Sequence, residues 1–255
     1  MKLSIVICSY NRAQYIRDAL DSLYKQTTSL SDFEVMLVDN NSTDGTAEVY
    51  ESWRELLPEG NFQYLTEHQQ GASFARNTGA AHAQSDWLCF MDDDAVAFPD
   101  FVANIIKHTQ EKPTIVGFGG KIIPKYIPEK PVWMSYYVSS LVGNFDYSPV
   151  PCAFKKGKYP LESNMVIKKS VFDQGGGFNT TLPGVLGTLR IGGEGKELFY
   201  KVIGLGEEIY YDPNIIVYHV VETSKLTKEY LYRVASGIGR GERIRTLSIS
   251  SFSYT

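Results

Sequence analysis

The chain has 255 residues, 43% of them hydrophobic, and a formal net charge of -4. This length and composition suit one large α/β domain and exclude a globally disordered chain, while the acidic balance excludes the broad basic surface of a general nucleic-acid binder. No stretch approaches the roughly 20 apolar residues of a membrane-spanning helix, and the cysteines form no C-x-x-C pair, so we expect a protein of the reducing cytoplasm.

The first third of the chain alternates strand patterns with helix patterns. LSIVIC, near the N-terminus, is an apolar run typical of a buried parallel strand, and AQYIRDALDSLYKQ spaces its apolar residues at helical intervals. FEVMLVD predicts a second strand that ends at Asp39. The next segment predicts a helix with Ser42, Thr43 and Asp44 available as caps.

The same alternation continues to about residue 100. NFQYLTE predicts a third strand, GASFARNTGAAHAQ a helix of small residues, and DWLCFMD a fourth strand. This order is typical of an α/β fold with a doubly wound, Rossmann-like and mostly parallel sheet, which binds ligands outside the carboxyl ends of its strands. SYNR, VDNN and MDDD all follow strands, so we expect them at that edge.

After about residue 110 the periodicity weakens. TIVGFGGKIIP and EIYYDPNIIVYH predict strands, ESNMVIKKSVF a strand leading into a short helix, and KELFYKVIGLG a helix. The tail KLTKEYLYRVASGIGRGERI predicts a further helix weakened by glycines. No linker is long enough to separate an independent second domain.

Three consecutive acids, Asp92, Asp93 and Asp94, end an apolar strand. Adjacent like charges are costly unless water, a cation or hydrogen-bond donors compensate them. Carboxylates suit Mg²⁺ and Mn²⁺, and Mg²⁺ is often shared between one or two carboxylates and substrate phosphates. The alternative is a solvated turn in which one of these acids caps a short helix.

Three further side chains are candidates for binding. Asp39 can accept hydrogen bonds from a ligand, although it can also cap the turn that follows it. Arg76 can reach a phosphate or a base, with a surface ion pair as the alternative. His219 can complete a metal shell, with a packed structural histidine as the alternative.

Several common sites are not indicated. The sequence contains no G-x-x-x-x-G-K-[ST] loop, no strand-linked G-x-G-x-x-G and no G-x-S-x-G elbow. A P-loop nucleotidase and a serine hydrolase therefore have little support.

Five motifs in order resemble the family 2 glycosyltransferases with the GT-A fold. They are IVICSYNR, VDNNSTDGT, GASFARNTGA, WLCFMDDDA and GGEGKELFYKVIGLG. The resemblance implies one GT-A domain over 1–222, with a nucleotide-binding half at 1–110 and an acceptor-side elaboration at 111–222. Residues 223–255 form an expected C-terminal helical extension, which we expect to be truncated or to precede a membrane anchor.

The resemblance also implies the roles of particular residues. Nucleotide binding falls to Ser9, Tyr10, Asn11, Asp39, Arg76, Asp92 and Asp93. Asp94 and His219 are the expected ligands of a Mn²⁺ or Mg²⁺ ion. Acceptor contacts fall to Trp133, Tyr136 and Tyr137, although packing is an equally ordinary role for aromatic side chains.

The expected catalytic base is the least regular part of the resemblance. Relatives usually carry G-G-E-D, and the Asp takes the acceptor proton, but here Glu194 is followed by Gly195. We expect Glu194 to be the base on a glycine-rich mobile segment. The alternatives are a site without a base and a weaker substitute, Glu197.

The implied activity is an inverting transfer from a nucleotide-sugar donor, a UDP-sugar above all, to a hydroxyl of a glycan or lipid-linked acceptor. The expected setting is cell-surface polysaccharide synthesis, in the cytoplasm at the inner face of the membrane through peripheral association. A catalytically inactive nucleotide-sugar-binding module is the alternative that GGEG favours. A sugar-1-phosphate nucleotidyltransferase is a weaker one, because SYNRAQY lacks its glycine-rich loop.

Overall fold

The computed structural model describes residues 1–182, 184–186, 189–191 and 193–250, with the backbone alone described at 184–186, 189–191 and 248–250. The strands are β1 Leu3–Ser9, β2 Phe33–Asp39, β3 Asn61–Thr66, β4 Trp87–Asp92, β5 Ala95–Ala97, β6 Gly117–Ile127, β7 Cys152–Ala153, β8 Met165–Lys168, β9 Gly184–Leu186, β10 Leu189–Ile191 and β11 Ile209–Glu222. The helices are α1 Ala13–Tyr24, α2 Thr46–Leu56, α3 Ala72–His82, α4 Phe101–Glu111, α5 Tyr136–Ser139, α6 Lys169–Gln174, α7 Glu194–Gly204 and α8 Lys228–Ser250.

The main sheet has the order β3-β2-β1-β4-β8-β6-β11-β5, with β7 paired to β11. Its first four strands are parallel, as the alternating strand and helix patterns predict. The strands β8 and β5 run antiparallel to their neighbours, so the second half of the sheet is mixed. The change of direction places the end of β4, the start of β8 and part of β11 around one edge.

Two hydrophobic cores cover the two faces of the parallel half. Alternate residues of β1 point to opposite faces, so Ile5 and Ile7 join one core while Val6 joins the other. On the second face α3 lies very close to the sheet, because a Cβ at Gly79 would be 2.3 Å from a methyl group of Val6. The small residues of GASFARNTGA therefore allow α3 to approach the strands.

The starts and ends of two helices differ in detail from the sequence-based expectation. The residue that precedes α2 is Gly45, with φ of 36°, and no side chain caps the helix from that position. Instead the Asp44 carboxylate accepts a hydrogen bond from the Thr46 backbone N–H at 3.1 Å. The predicted C-terminal helix is present as α8, and its glycines do not interrupt it. The final residues of the predicted extension, 251–255, lie outside the described residues.

The helices can also be judged against the thickness of a bilayer. In the part of the chain that the structure describes, none combines the length and the apolar character needed to cross a membrane.

Candidate active site

A cleft of about 560 Å³ opens at the carboxyl edge of the parallel strands. Its walls come from the ends of β1 and β4, from the start of α7 and from one face of α8. The α8 side chains that line it are Tyr230, Val234, Ile238 and Glu242. The position agrees with the rule that open α/β sheets bind ligands where the strand order changes.

Asp94 lies in the turn between β4 and β5 and is 3% exposed. β5 pairs with β11 so that Ala95 lies opposite His219, which brings the imidazole to the acid. His219 Nε2 is 3.1 Å from Asp94 Oδ1 and Arg12 Nη1 is 3.2 Å from Oδ2. The Lys225 ammonium also donates to Oδ2. One buried carboxylate is therefore held by three basic groups.

This arrangement explains the acidity of Asp94. Burial alone would favour the neutral acid, but His219, Lys225 and Arg12 outweigh it and hold the pKa of Asp94 well below its usual range. The neighbouring Asp93, 7% exposed, has no such surplus of cations. Burial and the Asp94 charge raise the pKa of Asp93 to about 7. The acidic run thus contains two carboxyl groups with opposite shifts.

A divalent ion fits one part of this region by donor type and spacing. Ligand atoms of Asp92, Asp94 and His219 all lie within 4.8 Å of one another. Carboxylate oxygens with one imidazole nitrogen form a reasonable donor set for Mn²⁺, and carboxylates with substrate phosphates suit Mg²⁺. An ion there would share Asp94 with the Lys225 ammonium, so the two cations compete for one carboxylate.

Arg76 forms a second charged group in the cleft. It comes from α3, is 8% exposed, and its Nη1 is 3.0 Å from Glu194 Oε1. Its Nη2 is 3.6 Å from Asp92 Oδ1. Burial disfavours the charged guanidinium, but Glu194, Glu162 and Asp92 together keep the pKa of Arg76 above its usual value. The alternative of a surface ion pair is therefore wrong, because this pair is buried.

Glu162 approaches the same group from a 3₁₀ turn, Glu162–Asn164, just before β8. The antiparallel pairing of β8 with β4 places the turn beside the end of β4, where the Ser163 hydroxyl donates to Asp92. Glu162 Oε1 accepts a hydrogen bond of 2.9 Å from the Gly195 backbone N–H. Burial and the Glu194 charge raise the pKa of Glu162 to about 6, although Arg76 opposes the shift.

The sequence-predicted residues fall into two groups. The lining of the cleft includes Ser9, Tyr10, Arg76, Asp92, Asp93, Asp94, Glu194 and His219. Asn11 and Asp39 are not among the residues that line the cleft. The Asn11 side chain accepts a hydrogen bond from the Thr43 backbone N–H at 2.7 Å, and Asp39 accepts one from the Tyr64 hydroxyl at 2.6 Å. Their nucleotide contacts stay predictions.

The predicted mobility of Glu194 is not what the structure describes. Glu194 begins α7, is 7% exposed and is fixed by Arg76, while Gly193, with φ of 111°, makes the turn before it. Gly192 of the GGEG motif lies outside the described residues. The assignment of Glu194 as the base stays a prediction, but its carboxylate starts from an ion pair.

Sequence reasoning missed Arg12, Lys225 and Glu162. Arg12 stands in the quoted SYNR motif, so its place after a strand end was a usable signal. Lys225 and Glu162 carry no local signal, because only the long-range pairings of β11 and β8 bring them to the cleft.

The aromatic residues expected to touch an acceptor lie elsewhere on the surface. Tyr136 and Tyr137 are 59% and 84% exposed, and Lys228 lies over the Trp133 ring at 5.9 Å. None of these three aromatic residues is among the side chains that form the cleft walls. Their contact with an acceptor stays a prediction.

Comparison with known proteins gives the family. The profile described as Glycosyl transferase family 2 matches residues 4–174, more than half of the chain. The chain therefore belongs to glycosyl transferase family 2, as its motifs indicate.

Curated relatives agree with this membership. The chain is 37% identical over 120 residues to validoxylamine A glucosyltransferase of Streptomyces hygroscopicus subsp. jinggangensis, covering 46% of this chain and 28% of that protein. It is 25% identical over 182 residues to glucosyl-dolichyl phosphate glucuronosyltransferase of Haloferax volcanii, covering 71% of this chain and 56% of that protein. The chain thus spans at most just over half of the length of these two relatives.

Solved structures give the fold. A mannosyltransferase of Pyrobaculum calidifontis, in complex with GDP-Man and Mn²⁺, superposes with a TM-score of 0.64 at 22% identity, over 86% of this chain and 56% of that one. TarS of S. aureus superposes with a TM-score of 0.63 at 19% identity, over 92% and 63%. The predicted GT-A fold is therefore confirmed.

Proposed function

We propose that this chain transfers a sugar from a nucleotide-sugar, a UDP-sugar above all, to a hydroxyl of a glycan or lipid-linked acceptor with inversion at the anomeric carbon. In this proposal residues 1–110 bind the nucleotide and 111–222 the acceptor. The product would belong to cell-surface polysaccharide, made at the inner face of the membrane by a peripherally attached enzyme.

The observation that carries the proposal is the surplus of positive charge around Asp94. Arg12 and Lys225 bring two cations to the single Asp94 carboxylate, which His219 Nε2 also contacts. A nucleoside diphosphate gains negative charge as it leaves the sugar, and fixed cations in a partly dehydrated cleft stabilise that charge strongly. The cleft thus suits a diphosphate leaving group.

A divalent ion would be held by Asp92, Asp94 and His219. When bound, it would supply further positive charge to the diphosphate without any proton transfer. Mannosyltransferase of Pyrobaculum calidifontis was solved with Mn²⁺, and this supports the same class of ion here. Arg12 and Lys225, which both contact Asp94 Oδ2, would supply fixed positive charge to the phosphates.

A panel of nucleotide sugars tests the proposal. Each donor is incubated with the chain and with Mn²⁺, Mg²⁺ or a chelator, and release of the nucleoside diphosphate is measured with and without simple sugar acceptors. We expect one donor to be turned over with a divalent ion and far more slowly with the chelator. Tight binding of a donor without any release would instead identify the inactive binding module, the second candidate that Gly195 favours.

A further inference from the structure

The cleft holds a carboxylate that fills the space left by an expected aspartate. Gly195 stands where relatives with the G-G-E-D motif carry that Asp, and a Cβ built at Gly195 would lie 2.2 Å from Glu162 Oε1 and 2.6 Å from its carboxyl carbon. Such distances are far below van der Waals contact. A side chain at 195 and the Glu162 carboxylate therefore cannot occupy their places together.

We propose that Glu162 is the general base of the transfer reaction, its carboxylate taking the place that a side chain at position 195 would fill. The inference rests on the proposed function, because it assigns a role within that reaction. Glycine at 195 is then part of the catalytic arrangement, since it alone leaves room for Glu162.

The partners of the two candidate carboxylates differ. Glu194 forms a buried ion pair with Arg76 at 3.0 Å, so a guanidinium already occupies its carboxylate. Glu162 accepts a hydrogen bond from the Gly195 backbone N–H, and within the described ranges no side-chain cation lies in ion-pair contact with it. Glu162 is also only partly buried and lines the cleft, so an acceptor hydroxyl can reach it.

The electrostatic setting suits proton uptake near neutral pH. Burial and the nearby Glu194 charge make Glu162 more basic than a free glutamate, with a pKa of about 6. General bases work best when their pKa lies near the working pH. The contact with Arg76 holds the Glu194 carboxylate in this buried position.

In the transfer step the acceptor oxygen forms a bond to the anomeric carbon while the bond from that carbon to the diphosphate oxygen breaks. The bonding electrons leave with the nucleoside diphosphate. The hydroxyl proton passes to the Glu162 carboxylate and then to water. No oxidant, reductant or further reactant is needed.

The experiment relocates the carboxylate. Glu162→Gln should lower kcat by about 10²-fold to 10⁴-fold, the usual contribution of a general base, with the affinity for the nucleoside diphosphate within threefold of wild type. Glu162→Gly should show the same loss. Adding Gly195→Asp to Glu162→Gly should recover at least a tenth of the wild-type rate, because the new carboxylate enters the vacated space.

The matched control is Glu208→Gln, which removes the same charge beyond the other end of α7 and should keep wild-type kcat. Near-normal turnover by Glu162→Gln overturns the inference, and so does a double variant no faster than Glu162→Gly. Loss of turnover in Glu194→Gln alone assigns the base to Glu194 and also overturns it. Failure of the proposed function differs from all of these, because the wild-type chain itself would then turn over no donor.

Discussion

The two charged groups that line the cleft are opposite in composition. Around Asp94 one carboxylate meets three basic side chains, whereas Arg76 pairs with Glu194 and Asp92 and also feels the charge of Glu162 without an ion-pair contact. Glycosyl transfer develops negative charge on the leaving diphosphate and releases a proton from the acceptor. A surplus of cations suits departure of the diphosphate, and a surplus of carboxylates suits uptake of the acceptor proton. The difference therefore favours the leaving group beside Asp94 and the acceptor beside Arg76.

The largest expected effect comes from removing the carboxylate of the cationic group. Asp94→Asn removes a proposed metal ligand and the anion that contacts Lys225 and Arg12, so we expect the transfer rate to fall by up to about a thousandfold. The measurement is steady-state release of nucleoside diphosphate from the donor identified in the panel. Asp86→Asn, an exposed change just before β4, is the control and should keep the wild-type rate. A transfer rate in Asp94→Asn within threefold of wild type would show that Asp94 and the basic side chains around it do not contribute to the transfer step.

The next effect concerns stability of the acidic group. Arg76→Met leaves three carboxylates around an empty buried position, and breaking a buried ion pair from one side costs about 3 kcal/mol or more. We expect that loss in the free energy of unfolding, measured by urea denaturation at pH 8. Arg54→Met is the control, since Arg54 hydrogen-bonds backbone carbonyls near the end of α2, lies over the Phe62 ring and forms no ion pair with a carboxylate of the described residues. Equal stability of the two variants would show that Arg76 does not compensate the acids.

The loss in Arg76→Met should shrink as the pH falls. The folded-state pKa of Glu162 is raised to about 6, so the folded chain binds more protons than the unfolded chain between pH 4.5, the ordinary pKa of a glutamate, and about 6. Unfolding free energy contributed by this group therefore decreases as the pH rises through that window. Removing Arg76 raises the pKa further, so repeating the denaturation at pH 5 should give a smaller difference from wild type than at pH 8.

The smallest effect tests the competition for Asp94. A hydrogen bond to a charged group is worth about 1.5–3 kcal/mol, so Lys225→Met should tighten Mn²⁺ binding by roughly tenfold or more as Asp94 is freed. Titration calorimetry with Mn²⁺ measures this directly. Lys228→Met removes a cation from α8 that lies over Trp133 and should leave the affinity unchanged. Unchanged affinity in Lys225→Met would show that the ion and the ammonium do not share Asp94.

Much of the fold was readable from local patterns. The strand and helix alternation up to Asp92 predicts the parallel half, because its apolar runs are short and bounded, and those of β1 and β2 are buried on both faces. The second half was less readable, since β8 and β5 are short and take their direction from partners far away in the chain. Local sequence patterns therefore predict which segments form strands, whereas the direction of β8 and β5 depends on pairing with distant segments.

The site follows the same division. Arg76, Asp92 and Asp94 belong to recognisable motifs, His219 stands at the end of a predicted strand, and the structure brings all four to the cleft. Gly195 is recognisable in the motif as a missing acid, but local patterns offer no way to choose a replacement among the 29 acidic residues. Glu162 is identified only by the structure, in which its carboxylate lies where a Cβ of residue 195, 33 positions away in the chain, would be.

The face of α8 in the cleft changes where the working unit ends. The family profile stops at residue 174, yet His219, Lys225 and the α8 residues Tyr230 to Glu242 complete the walls of the cleft. Lys196 on α7 also pairs with Glu242 at 2.6 Å, which fastens the helix to the segment that carries Glu194. A fragment cut at the profile boundary would keep most of the parallel strands but would lose the side of the cleft that α8 forms. Engineering of this protein should therefore retain the last helix as part of the substrate site.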